Sequence, residues 1–251
     1  MKLNFNWKQV LIVTCNVIVG IYLVLAVTAF NNPEESMAKD CNEVKIDIEK
    51  EQMEGFLNPS EVKKLLTQSN LYPLSQPMNS ISPRKMEETL QKSPFVEKAE
   101  CFKTLSGHVC IYIKQRIPVI RIMADNGSSY YLDHHGNIMP EAGYATDILI
   151  ATGAISKKYA QNVLSRIANQ IVSNNFWRNQ VVQLNVLANG TLEMVPRVGD
   201  HIVYLGSPTR IDKKLERLRK FYIYGLNKTG WNKYNYINVE FSNQIICKRN
   251  N

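Results

Sequence analysis

Asp133, His134, His135 and Gly136 form an unbroken run, the part of the chain whose residue types come closest to a reactive site. Imidazole and carboxylate are typical zinc ligands, so neighbouring His and Asp raise the possibility of a metal centre. Two features weigh against it. Neighbouring side chains on a strand point to opposite faces, and no second acidic motif accompanies the run. It reads as a hairpin turn ending at Gly136, and no metal ligand or cofactor is expected. His108 and His201 lack an evident partner and read as ordinary strand residues. The chain also has no Walker loop, no G-x-G-x-x-G, no G-x-S-x-G, no H-E-x-x-H and no paired C-x-x-C. Phosphate cradles, nucleophile elbows and common zinc sites are built from those patterns. No catalytic residue is expected, and the chain is not read as an enzyme.

The remaining chemistry is recognition. Gly206 to Asn251 carries ten Lys and Arg, from Arg210, Lys213 and Lys214 to Lys248 and Arg249, against Asp212, Glu216 and Glu240, a net charge of +7 within a chain of net +8. In a cytosolic protein such a stripe would suit nucleic acid. This segment is expected on the far side of a membrane, so no nucleic-acid partner is expected. An acidic protein segment or an anionic envelope surface fits better, beside the plainer reading of a solvated helix face.

The membrane expectation comes from Val10 to Phe30, which holds 21 residues without a charge, and a helix needs about 20 to cross the hydrocarbon. The run is longer than the apolar core of a cleavable signal, and no small-residue cleavage site follows it. Lys2 and Lys8 precede it while Glu34, Glu35 and Asp40 follow. Basic residues beside a span stay in the cytoplasm, so the bulk of the chain is expected outside it. The expected boundaries are a cytoplasmic tail over 1–9, a transmembrane helix over 10–30, a linker over 31–42, one module over 43–116 and a second over 117–251.

The fold class is α+β. Val44, Ile46 and Ile48 alternate with polar residues as a short strand. Asn58-Pro59-Ser60-Glu61 and Ser82-Pro83 open two helices with capping side chains and Pro at the first helical position. Phe95 to Thr104 and Val109 to Lys114 complete a β-α-α-β-β unit. A three-residue turn with Gly107 left-handed pairs Cys101 with Ile111 and Ala99 with Ile113, gathering the apolar set on one face. That register sends Cys101 and Cys110 to opposite faces, and no bond between them is expected.

The second module reads as mostly antiparallel strands: Val119 to Met123, Ser129 to Leu132, Val181 to Leu187, Leu192 to Val195, Ile202 to Leu205, Tyr236 to Phe241 and Gln244 to Cys247. Asn189-Gly190 is the strongest hairpin turn. Helical spacing joins Ala160, Val163, Leu164, Ile167, Ala168 and Ile171, and again Ile211, Leu215, Leu218 and Tyr222. A terminal strand leaves an open edge that a partner strand can extend. The partner site is therefore expected on Tyr236, Asn238, Glu240, Gln244, Ile245, Ile246 and Cys247, with Arg210 and Lys214 from the basic helix.

Ser93-Pro94-Phe95-Val96-Glu97-Lys98-Ala99-Glu100, then Ile111-x-Ile113-x-Gln115-Arg116-x-Pro118, then Tyr131-Leu132-Asp133-x-x-Gly136-x-x-x-Pro140 resemble the bacterial division family FtsQ/DivIB. Ile150-Ala151-Thr152-Gly153, Val203-Tyr204-Leu205-Gly206 and Tyr236-Ile237-Asn238-Val239-Glu240-Phe241 follow in the same order. The resemblance implies one inner-membrane span of type II topology at the division septum, a POTRA domain and a β-domain whose terminal strands bind an FtsB-like protein that pairs with an FtsL-like one. Other divisome proteins would meet the POTRA domain and the transmembrane helix. The implied role is a non-catalytic scaffold regulating septal peptidoglycan synthesis. Gln115 stands where the family has an acidic residue, and Ser242-Asn243-Gln244 lacks the usual turn Gly. Two alternatives stay open: another single-pass POTRA protein of secretion or envelope assembly, and a type II membrane glycosyltransferase. The latter is suggested by the acceptor patterns at Asn126, Asn189 and Asn227, although the chain has no Asp-x-Asp motif.

Overall fold

A computed structural model describes residues 7–30, 39–49, 57–141 and 148–250. Lys2, with most of the expected tail, and residues 31–38 of the expected linker lie outside the described residues. Helix α1, Trp7–Phe30, contains the apolar stretch Val10–Thr28, long enough to cross a membrane. Its two threonines are satisfied internally: Thr14 Oγ1 donates to the Val10 carbonyl at 3.0 Å and Thr28 Oγ1 to that of Val24 at 2.9 Å. Lipid offers no other partner for such groups.

The chain divides into two compact units. The first contains β1 (Glu43–Ile48), α2 (Pro59–Gln68), α3 (Pro83–Leu90) and most of β2 (Val96–Lys103) and β3 (His108–Gln115), in the expected β-α-α-β-β order. Its three strands lie in the order β1-β3-β2, with β1 parallel to β3. Pro83 follows the capping hydroxyl of Ser82, which accepts from Lys85 N. Val62, Leu66, Met86 and Leu90 of the helices and Val109, Ile111 and Ile113 of β3 are buried, each contributing about 1.5–3 kcal/mol by leaving water.

In the hairpin Thr104 N donates to the His108 carbonyl at 2.9 Å, and Gly107 has φ +84°. Continued inward, that pairing sets Cys101 opposite Ile111 and Ala99 opposite Ile113, all four buried. Both Cys101 and Cys110 are free thiols. Glu87 Oε1 accepts from Cys101 N at 2.7 Å, so a helix side chain satisfies a group on strand β2. Burial first, and the Glu87 charge second, push the Cys101 thiol up to about 12.

The second unit holds a nine-stranded sheet in the order β12-β11-β10-β9-β8-β7-β4-β5-β6. Its strands are β4 (Pro118–Ala124), β5 (Ser129–Asp133), β6 (Ile138–Met139), β7 (Leu149–Gly153), β8 (Val181–Val186), β9 (Leu192–Pro196), β10 (Ile202–Gly206), β11 (Tyr234–Asn238) and β12 (Ile246–Arg249). Five of the strand pairings are antiparallel; β4–β7, β7–β8 and β10–β11 are parallel. Helices α4 (Ser165–Val172), α5 (Asn175–Gln180) and α6 (Ile211–Phe221) belong to it; a π-helical turn, Ala160–Leu164, leads into α4 and another, Tyr222–Leu226, follows α6. Ile167, Ala168 and Ile171 of α4 and Leu215 and Leu218 of α6 share one core with Ile120, Leu184, Val203 and Ile237 of the sheet.

Alternation puts polar side chains on the other face. Gln183 donates to Thr152 Oγ1 at 2.8 Å, Thr152 to Asn185 Oδ1 at 3.2 Å and Asn185 to Glu193 at 3.2 Å. Strand β7, central in the sheet, is absent from the strands expected above. Its sequence, LIATG, is short, without polar–apolar alternation, and includes Ala and Gly, which are depleted in strands. Gly153 there is required by geometry: φ is +103°, and a Cβ would lie 2.2 Å from the Val186 carbonyl oxygen.

Candidate interaction edge and the turn after β5

The terminal strands differ from expectation in their limits. β11 runs over Tyr234–Asn238 rather than from Tyr236 to Phe241, and β12 over Ile246–Arg249 rather than from Gln244 to Cys247. Asn238 Oδ1 accepts from Glu240 N at 2.9 Å, a local turn that ends β11 early. Val239 N still bonds the Tyr204 carbonyl at 3.0 Å, and Val239 is buried, whereas Phe241 is exposed.

Among the described residues β12 has a strand neighbour on one side only, β11. Its pairing is antiparallel, with Asn238 opposite Ile246, Ile237 opposite Cys247 and Tyr236 opposite Lys248. Main-chain groups alternate in direction along such a strand. Because Asn250 N donates to the Lys233 carbonyl at 3.1 Å, toward β11, Lys248 and Ile246 also turn their main chain inward, and Cys247 and Arg249 turn theirs to the open edge.

The expected site residues therefore separate into groups. Gln244 and Ile246 are exposed, Cys247 and Ile245 half-buried, and Ile245 precedes β12 and packs against the core. Tyr236 and Asn238 are half-buried on the polar face, where the Tyr236 ring stacks on that of Tyr204 with centroids 6.2 Å apart. Burial, then the charges of Glu193 and Glu240 and the neighbouring Tyr204, raise the Tyr236 pKa. Glu240 is half-buried and accepts weakly from Ser207 N at 3.4 Å.

The basic helix contributes less surface than its charge suggests. Arg210 is exposed and precedes α6 in the left-handed region (φ 54°). Lys214 is buried, with Nζ 2.6 Å from the Ser207 carbonyl. Burial lowers its pKa against the opposing pull of Glu240. Arg217, not anticipated, donates to the Val239 carbonyl at 2.5 Å. Lys214 and Arg217 thus fasten the loop after β10 and the chain after β11 to α6, while Lys213 and Arg219 remain exposed.

A second cluster lies at the end of β5. Asp133 is fully buried and takes four donors. His135 N and Asn137 N reach Oδ1 at 2.9 and 2.7 Å, and Asn137 Nδ2 and Arg116 Nη1 reach Oδ2 at 2.9 and 2.5 Å. Burial alone would raise this carboxyl's pKa; the bonds from Asn137 and Arg116 outweigh it and hold it below the ordinary range. Gly136 has φ +80°, and a Cβ there would meet the Gln161 carbonyl oxygen at 2.8 Å. The turn expected at this run is present, but His134 and His135 lie in it rather than on a strand. Their rings sit together, with centroids 3.9 Å apart, instead of pointing to opposite faces.

The family described as FtsQ/DivIB, C-terminal related, matches residues 117–248, and the POTRA-like domain matches residues 39–114. No curated protein matches the chain.

Proposed function

The chain belongs to the FtsQ/DivIB family, and from that premise we propose that it docks an FtsB-like partner by strand addition on β12. Its domains are those of a cell-division scaffold, in a family that is generally non-catalytic. In our reading the FtsB-like partner pairs with an FtsL-like protein, and the assembly regulates septal peptidoglycan synthesis. The helix α1 holds the chain in the inner membrane with its carboxyl terminus outside the cytoplasm, at the septum. The POTRA domain and α1 meet other divisome proteins.

The observation that carries this reading is the open edge of β12. Outward main-chain groups at Cys247 and Arg249 can supply affinity to an added strand, and neighbouring side chains supply selectivity. Lysine on an edge strand also discourages indiscriminate pairing. With Lys248 and Arg249 exposed on the strand and Arg210 and Lys213 exposed near the start of α6, an acidic extended segment is the favoured occupant. Gln244 and Ile246 offer side chains to it. Lys214, Glu240 and Ile245 hold the edge in place from within.

The test is co-purification of the full-length chain with its FtsB-like partner from solubilised membranes. Cys247→Pro removes an outward donor and should abolish recovery while leaving the melting temperature near wild type. Lys248→Pro removes an inward donor and should lower both. Tyr236→Ala should weaken binding by about 1–2 kcal/mol, as an aromatic anchor does. Full recovery with Cys247→Pro would place the partner elsewhere.

A further inference from the structure

Three ligand-bearing side chains converge in the second unit. Glu97, His134 and His135 each offer one donor atom, and the three lie within 4.8 Å of one another. All three belong to the same compact unit, which includes Lys92–Glu97. The two imidazoles are exposed and Glu97 is half-buried. Among the described residues no protein group bonds the ring nitrogens of either histidine.

Several contacts fix the backbone that carries the rings. Asp133 anchors His135 N and Asn137 N, as described above. The His134 carbonyl accepts from Asn169 Nδ2 at 2.7 Å, and the Gly136 carbonyl accepts from Gln161 Nε2 at 3.1 Å. The turn is thus held on both sides of the histidine pair, and little backbone entropy remains to be lost when the rings converge on a common atom. Among the described residues Glu97 pairs with Lys114, whose Nζ is 3.3 Å from Oε1. Among them none bonds Oε2, and the half-exposed Lys114 can return to water.

We propose that Glu97, His134 and His135 form a binding site for a divalent transition metal, with zinc as the fitting ion and water in the fourth position. Two imidazoles and one carboxylate are a known catalytic-type zinc set, and imidazole disfavours calcium and magnesium. Zinc–ligand bonds of about 2.0–2.2 Å in tetrahedral geometry separate ligand atoms by roughly 3.3 Å. The three donors need to close by no more than about 1.5 Å, within reach of side-chain rotation. Bound there, the ion would tie the turn after β5 to Glu97 at the start of β2.

The test is isothermal titration of zinc chloride into the full-length chain, purified in detergent without a histidine tag, with X-ray absorption at the zinc edge. One zinc per chain is expected, in a shell of nitrogen and oxygen only. His134→Ala and His135→Ala should each weaken binding at least about tenfold, the double variant should abolish it, and Glu97→Ala should weaken it. Because both rings are exposed, the metal-free melting temperature should not change in the histidine variants. Absence of binding, a shell containing sulfur, or undiminished affinity in the double variant would each overturn the site. The absorption measurement on the wild-type protein decides the question even if a variant fails to fold.

Discussion

Asp133→Asn should destabilise the protein by about 3 kcal/mol, and the geometry shows why so small a change matters. The asparagine oxygen can still accept from His135 N and Asn137 N. Its amide nitrogen, however, would face two donors, Arg116 Nη1 and Asn137 Nδ2, where Oδ2 now accepts from both. A charge-assisted bond contributes about 1.5–3 kcal/mol and a neutral one about 1 kcal/mol. Removing one partner of a fully buried pair costs about 3–5 kcal/mol; the Arg116 side chain keeps 18% of its exposure, which favours the lower end. For a chain of this size about 3 kcal/mol corresponds to a fall of roughly 6–12 °C in melting temperature. The assay is thermal unfolding of the full-length protein in detergent, followed by tryptophan fluorescence, to which the buried Trp177 contributes. Because the folded pKa of Asp133 lies below its ordinary value of 3.8, the charge contributes fully above that pH and is lost as pH falls through the folded value. The deficit of the variant should therefore be the same at about pH 7 and pH 5 and shrink only in stronger acid. A fall under about 2 °C, or a deficit that disappears by pH 5, would refute the account of Asp133 as the anchor of this turn.

A reporter active only outside the cytoplasm, fused after Asn251, should be active; activity of a cytoplasmic reporter there would reverse the proposed topology. Cys101, with its thiol pushed up to about 12, should resist alkylation in the native protein at neutral pH and react on unfolding, and mass mapping without reductant should find no Cys101–Cys110 link. His201 is buried with Nε2 2.8 Å from the Tyr222 hydroxyl, and burial lowers its pKa from 6.5 against the opposing charge of Asp200. The folded state thus favours the neutral ring: its stabilisation is complete above about pH 6.5 and declines as pH falls through the unfolded value toward the folded one. His201→Gln should flatten that part of the stability–pH curve, and an unchanged slope would locate the titrating group elsewhere.

What the sequence made legible follows from which interactions are local. Helix starts at Pro59 and Pro83, the left-handed turn at Gly107 and the apolar stripes of the α4 and α6 regions depend on neighbours within a few residues, and they are where periodicity and capping put them. Strand β7 is not legible from its own composition, because its place at the centre of the sheet comes from β4 and β8. Lys214 reads as surface because charge counting cannot see a carbonyl such as Ser207's closing over an ammonium. The turn at the histidine pair is legible from Gly136, but strand alternation does not place its two rings, because the chain leaves the strand after Asp133 and the rings sit together.

The motif residues at the second unit's turns and ion pairs serve its architecture. Arg116 reaches Asp133 at 2.5 Å and the Val96 carbonyl at 3.2 Å, Gly136 admits the Gln161 carbonyl, and Gly153 admits that of Val186. Such residues identify the scaffold and say little about where a partner binds. An edge strand is recognised through main-chain groups that every residue possesses, so almost any side chain is compatible with it provided the strand stays in register and open. Sequence can therefore mark β12 only as the last strand. Its outward positions, Cys247 and Arg249, become visible once Asn250 is seen bonded to Lys233, because that single bond sets the phase of the whole edge. It follows that side-chain truncations along β12 should be tolerated better than any change that removes an outward N–H or shifts the phase by one residue.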